Sequence, residues 1–239
     1  MFPYSASKRY PRTPTARIFP SFIRLSDDLL CRILFSGYLG SRLDDLVYVL
    51  LVSKRFLSLG YLATSVFMSD NWATTNLMVT KLKNLTFLNL QFLPCAFTST
   101  MMEVLLCRKT SLKVLNLRGT LVNDDSVSVI AMLENLESLV LGKSERLPDE
   151  LGITDNGAQH LVKLANLTFL DLSMTNITDA TLIHLSTHLS KLKHLRLQCC
   201  NGITNISIEA LSALPLRVLD VSSCVGLNAG IVDMLAQSK

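Results

Sequence analysis

No apolar run in this sequence approaches the roughly 18 residues that a membrane-spanning helix needs. The longest, Leu46 to Val52, is far too short, which points to a soluble chain with no membrane partner. No signal-peptide-like apolar stretch opens it, so an oxidising compartment is not implied. The cysteines at 31, 95, 107, 199, 200 and 224 are therefore expected to be reduced thiols of an intracellular protein. There is no CxxC pair, and adjacent Cys199 and Cys200 make a poor zinc or disulfide framework. A glycine-rich phosphate loop is also missing; Gly226 and Gly230 fall in a repeat loop. His184 and His188 are four apart, the spacing of two metal ligands on one helix face, but no Glu follows His184 to make HExxH. A surface pair is the better reading. His194 lacks a neighbouring Ser or Cys arrangement that would suggest a triad. The expectation is a non-enzymatic chain with no cofactor and no metal.

Acidic residues are absent from residues 1–24, which hold Lys8, Arg9, Arg12, Arg17 and Arg24. The formal net charge is +4, so the remainder is near neutral at −1, and bulk charge does not indicate a nucleic-acid partner. Pro3, Pro11, Pro14 and Pro20 make a stable helix unfavourable there. Residues 1–24 read as a disordered basic tail, and their composition also fits an organellar presequence, although the prolines fit that poorly.

What the chain has in abundance is leucine at a fixed pattern. The strings NLTFLNL (84–90), SLKVLNL (111–117), NLESLVL (135–141), NLTFLDL (166–172), KLKHLRL (191–197) and PLRVLDV (215–221) each place apolar residues three and five positions after an anchor leucine. The anchors Leu85, Leu112, Leu136, Leu167, Leu192 and Leu216 are spaced by 27, 24, 31, 25 and 24 residues, near the roughly 20–29 of leucine-rich repeats. The longest interval carries the polar insert Ser144 to Glu150, which reads as a longer loop. A weaker unit formed by Ala63, Val66 and Met68 fits a capping repeat over 63–81.

Within each unit, residues two apart share one face of a short strand. NITDATLIHL, GITDNGAQHL, GITNISIEAL and the weaker VNDDSVSVI then follow, with Thr178, Thr154 and Thr204 placed to cap a helix. Leu182, Leu185 and Leu189 give an inward helical face. One strand and one helix cannot bury both apolar faces alone, but stacked neighbours can. The expected fold is α/β: a leucine-rich-repeat solenoid with a curved parallel sheet and outer helices, six clear repeats over 63–239.

The strings LRLQCCNGITN (195–205) and LDVSSCVGLN (219–228) put Cys200 and Cys224 three positions after the second strand residue, where Thr120 and Thr175 stand elsewhere. This resembles the cysteine-containing repeat class typified by the F-box/leucine-rich-repeat proteins. Loop packing is the expected role of these cysteines. Upstream, Ser26, Asp27 and Asp28 cap a helix carrying Leu29, Leu30, Ile33 and Leu34. Gly37 and Gly40 mark a connection, Asp44 and Asp45 open a second helix, and Ser53-Lys54-Arg55-Phe56 begins a third short segment. This all-α segment, 25–62, resembles an F-box through Leu25, Asp28, Leu29, Leu30, Ile33, Leu34, Leu46, Leu50, Val52, Ser53, Lys54 and Arg55. Ser26 and Phe56 replace the usual Pro and Trp, and the stretch from Gly37 to Asp45 is about two residues longer than the usual form.

The resemblance implies a substrate-recognition subunit of a Skp–cullin–F-box ubiquitin ligase, cytoplasmic or nuclear, whose partner subunits perform the transfer. It also implies adaptor contacts at Leu25, Ile33, Leu34, Leu46, Leu50, Val52 and Phe56. Those residues could instead pack the segment against the first repeat. The alternative from a different class is a non-catalytic scaffold or assembly subunit, mitochondrial if the tail is a presequence.

Strand alternation predicts the concave face directly. Its central row is Asn89, Asn116, Val140, Asp171, Arg196 and Asp220, flanked by Gln91, Arg118, Gly142, Ser173, Gln198 and Ser222 on one side and Phe87, Val114, Ser138, Phe169, His194 and Val218 on the other. The expected patch for a protein substrate is Phe87, Arg118, Phe169, Asp171, His194 and Arg196. Replacing Asp171 and Arg196 is expected to weaken capture without unfolding the solenoid.

Overall fold

A computed structural model of the chain describes residues 65–67, 85–91, 99–107, 110–144 and 152–228. The tail 1–24, the segment 25–62 and all seven expected adaptor contacts lie outside the described residues. Among the described residues, seven three-residue strands form one parallel sheet in chain order: β1 (Ser65–Phe67), β2 (Phe87–Asn89), β3 (Val114–Asn116), β4 (Ser138–Val140), β5 (Phe169–Asp171), β6 (His194–Arg196) and β7 (Val218–Asp220). From β2 onward the strands alternate with α1 (Ser99–Leu106), α2 (Asp124–Ile130), α3 (Asp155–Ala158), α4 (Asp179–His188) and α5 (Asn205–Leu211). A 3-10 segment, Gln159–Lys163, continues α3.

Strand register aligns the leucine pattern into a column. Val66, Leu88, Leu115, Leu139, Leu170, Leu195 and Leu219 pair in sequence across the sheet. The leucines at 88, 115, 139, 170 and 195 are fully buried, as are the anchors at 85, 112, 136, 167 and 192. Each such side chain contributes roughly 1.5–3 kcal/mol relative to exposure. The opposite wall comes from the helices: Val127, Ala158, Leu182 and Ile208, one turn later Ile130, Leu161, Leu185 and Leu211. Leu216, Leu219 and Val221 of the last described unit are partly buried and pack against this core.

The expected caps are in place, and they do more than cap. Thr154, Thr178 and Thr204 accept from the amides of Asn156, Ala180 and Ile206, satisfying helix-end donors. Asn123 does the same for α2, with Ser126 returning a bond to its amide. Each Thr cap is also gripped by the first helical residue of the preceding repeat. Asp124 accepts from the amide and hydroxyl of Thr154 at 2.8 and 2.6 Å, and Asp155 likewise from Thr178. Asp179 holds Thr204 at 2.7 and 2.5 Å, and Asn205 continues the series to Asn228. Charge-assisted bonds of this kind are stronger than neutral ones, so the ladder pins repeat to repeat along the helix N-termini.

A second ladder runs beneath the strand-to-helix turns. Thr120 and Thr175 donate to the carbonyls of Leu117 and Leu172 in their own repeats. Cys200 and Cys224 donate to Leu172 and Leu197 of the preceding repeat at 3.1 and 3.0 Å. Burial pushes the Cys200 thiol up to about 11 and also raises Cys224, so both stay protonated donors. The turn just before this ladder bends through left-handed backbone at Gly119, Met174, Cys199 and Ser223. Only the first is the residue type that adopts it without cost.

Glycine matters differently at 157. A Cβ there would lie 2.7 Å from Asp124 Cα and collide with Asp124 Oδ1, so α3 sits against the preceding repeat more closely than a side chain permits. Gly157→Ala is expected to lower stability by about 2 kcal/mol, read as a fall of roughly 4–8 °C in melting temperature. The ladder carboxylates give a pH signature. Burial pushes Asp155 and Asp179 upward, but the bonds from Thr178 and Thr181, and from Thr204 and Ser207, outweigh it and hold both below the usual range. Carboxyls with a folded pKa below the unfolded one stabilise the fold fully above about pH 4 and lose that contribution as pH falls through the folded value. Urea midpoints should therefore fall as pH drops below about 4, and the fall should be smaller in Asp155→Asn; an unaltered pH slope in that variant would count against the ladder.

Candidate functional site

Each strand leaves its solvent-facing side chains where alternation places them, but their freedom differs sharply along the strand. At the C-terminal end, the central-row side chains fold back onto their own turns. Asn89, Asn116, Asp171 and Asp220 accept from the amides of Gln91, Arg118, Ser173 and Ser222, the Asx-turn arrangement that Asn and Asp favour. The flanking row ties neighbouring strands together: Asn116 donates to Gln91, and Gln198 to Ser222. Val140 and Arg196 are the central-row exceptions.

Asp171 is the most committed of these residues. Its side chain is 1% exposed, and the Arg118 guanidinium stands 3.6 Å from its second oxygen. Gly142 is the flanking-row residue of the intervening strand β4, and a Cβ there would meet Asp171 Oδ1 at 3.1 Å. The bare backbone at 142 lets Arg118 reach a carboxylate two strands away. Ser173 beside it is fully buried, and its hydroxyl is the only buried side-chain oxygen or nitrogen without a hydrogen-bond partner among the described residues. The pairing of Asp171 with Arg118, and its burial, were invisible to alternation, which gives a face and not an exposure.

Three of the expected patch residues come together. Phe169 and His194 are register partners on β5 and β6, with ring centroids 6.2 Å apart and planes inclined by 28°. The Arg196 guanidinium carbon stands 5.3 Å from the Phe169 ring centroid, within cation–π range. Arg196 is exposed and the two rings are half-buried. Phe87 is half-buried on β2, three strands from Phe169. The expected six therefore divide into an aromatic–cation cluster, an ion pair of half-buried Arg118 with buried Asp171, and an aromatic three strands away.

His184 and His188 are exposed on α4, with ring centroids 4.7 Å apart. His188 Nδ1 lies 2.9 Å from the His184 carbonyl and 2.7 Å from the Thr187 hydroxyl. Among the described residues no cluster of three or more His, Cys, Asp or Glu could hold a metal, and no helix is long and apolar enough to cross a membrane.

The burial contrast separates two residues that alternation treats alike. Asp171→Ala leaves Arg118 without its partner and a turn amide without its acceptor, so it should cost about 2 kcal/mol in chemical denaturation. Arg196→Ala should stay within about 0.5 kcal/mol. Equal losses would refute the distinction.

Residues 163–185 and 188–212 match the family model described as "Leucine Rich repeat". No curated protein matches the chain. Among solved structures, internalin C2 from Listeria monocytogenes is similar at 18% identity with a TM-score of 0.46, covering 83% of this chain and 95% of that one. The matched segments span β5 and most of α4, then β6 and α5, so the chain carries leucine-rich repeats, a repeat type that commonly mediates protein–protein interaction.

Proposed function

We propose that this chain is a non-catalytic recognition subunit of a Skp–cullin–F-box ubiquitin ligase, holding a target protein on its concave face. The observation that carries the recognition half is the exposed Arg196 stacked over Phe169 beside His194, on a sheet held by ladders at both ends of its turns. Rigid presentation of aromatic and Arg side chains suits partner binding, since these residue types dominate interface energetics. Preorganisation also reduces the entropy lost on association.

The docking half rests on the residues that resemble an F-box. Leu25, Ile33, Leu34, Leu46, Leu50, Val52 and Phe56 would supply apolar anchors to a Skp-type adaptor, in the manner of helices seated in a groove. Ubiquitin transfer would belong to partner subunits. The acid-free basic stretch 1–24 favours a second reading, a scaffold or assembly subunit of a mitochondrial complex.

Co-purification separates the two. A Skp-type adaptor should be recovered with the full chain and lost when Ile33 and Leu34 are both changed to Glu, while Phe169→Ala should spare the adaptor and weaken target capture by about tenfold. Absence of the adaptor from the wild-type complex, together with removal of the tail on organelle import, would establish the scaffold instead.

A further inference from the structure

We infer that the strand-entry end of β6 and β7 is a recognition site for an acidic segment of a partner protein. The inference rests on the recognition role proposed above and adds the chemistry of what the strand-entry edge of the sheet accepts.

It comes from one row of the sheet. Residues just before each strand stand side by side, and on β3 and β4 this row is neutralised: Lys113 Nζ meets Glu137 Oε1 at 2.7 Å. On β6 and β7 the same row holds Lys193 and Arg217, whose backbones are hydrogen-bonded directly, Arg217 N to Lys193 O at 2.7 Å. Neighbouring strands lie about 4.8 Å apart, and like charges placed opposite one another are destabilising. Neither cation has an acidic partner among the described residues. Lys191 extends the patch and donates only to the neutral Asn166 at 2.8 Å; Arg196 and His194 border it.

Of the acidic residues on the strand segments of β5 to β7, Asp171 is buried against Arg118, and Asp220, bonded by the amide and hydroxyl of Ser222, keeps its charge beside Arg196; neither is ion-paired to Lys193 or Arg217. Lys193 and Arg217 thus stand on adjacent strands without an acidic partner among the described residues, next to a half-buried aromatic pair, and an incoming carboxylate-rich segment would supply the missing charge. A nucleic acid would need cations continuing along a track. Here they stop at Thr168 of β5 and Glu137 of β4, so the footprint suits a short acidic peptide.

The test uses the full chain with a fluorescently labelled glutamate–tyrosine copolymer, a lysine–tyrosine copolymer and poly(U) RNA. The acidic copolymer should bind in a salt-sensitive manner, and Lys193→Glu should weaken it by about tenfold. That same substitution recreates beside Arg217 the opposite-charge pair seen at Lys113–Glu137, so it should raise the melting temperature slightly rather than lower it. Loss of binding therefore cannot be ascribed to unfolding. Lys193→Glu with Arg217→Glu should weaken the copolymer further. Failure of the acidic copolymer to bind, or stronger binding of poly(U), overturns the inference. Binding lost in Phe169→Ala but untouched by the charge changes leaves the concave face as the binding surface and removes its acidic preference. Binding unaffected by either set places the contact elsewhere and removes both.

Discussion

The spacing between hydrogen-bonded parallel strands, about 4.8 Å, governs everything else in this molecule. Because the strands pair in register without a slip from β1 to β7, each position of a repeat lies directly beside the same position of the next. Every side chain is thereby placed in a column of its equivalents. A column of leucines is stable at that spacing, and so is one alternating donor and acceptor, such as Asp155 holding Thr178 and Asp179 holding Thr204. A column of like charges is not. Repetition amplifies whatever chemistry a position has.

The ladders follow from that constraint rather than from local propensity. Helix α4 begins on Asp179, whose carboxylate holds the next repeat's cap while its backbone continues the helix capped by Thr178. One dipeptide, Thr–Asp, therefore stabilises a helix start and the interface to the following unit together. Where the unit has Asn205 in place of Asp, the contact to Asn228 persists with a neutral donor–acceptor pair. The thiols of Cys200 and Cys224 serve the same end under the turns, donating to the preceding repeat's backbone where Thr120 and Thr175 donate within their own. A sulfur reaches farther than a hydroxyl, and these two close a longer gap.

The leucine columns, the strands and the Thr caps were legible because periodicity is a property of composition at fixed spacing. Three features were not. The left-handed turns at Met174, Cys199 and Ser223 carry no glycine to announce them; only Gly119 does. The shortness of α3, its passage into a 3-10 segment and the close approach of Gly157 to Asp124 are features of the packed structure that no local pattern encodes. The burial of Asp171 depends on Arg118 crossing β4 above a glycine, a contact spanning more than fifty residues of sequence. The inter-repeat role of the Asp residues had a signal, the recurring Thr–Asp and Asn–Asp pairs, that the capping argument used only by half.

Alternation says which residues face the concave side, and the turns then divide them. Side chains at the strand exits are used to end the strands: Asn89, Asn116, Asp171 and Asp220 are spent on their own amides, and a ligand competing for them would have to break a turn. Side chains at the strand entries have no turn to satisfy, because the chain arrives there from the anchor leucine already fixed by the core. Under the proposed recognition role, side chains at the entries, such as Phe169, Lys193, His194 and Arg217, can vary without breaking a turn. The exits remain constrained by backbone geometry except at Val140 and Arg196, whose side chains close no such turn, so the surface proposed for recognition is the strand-entry half of the sheet together with Arg196.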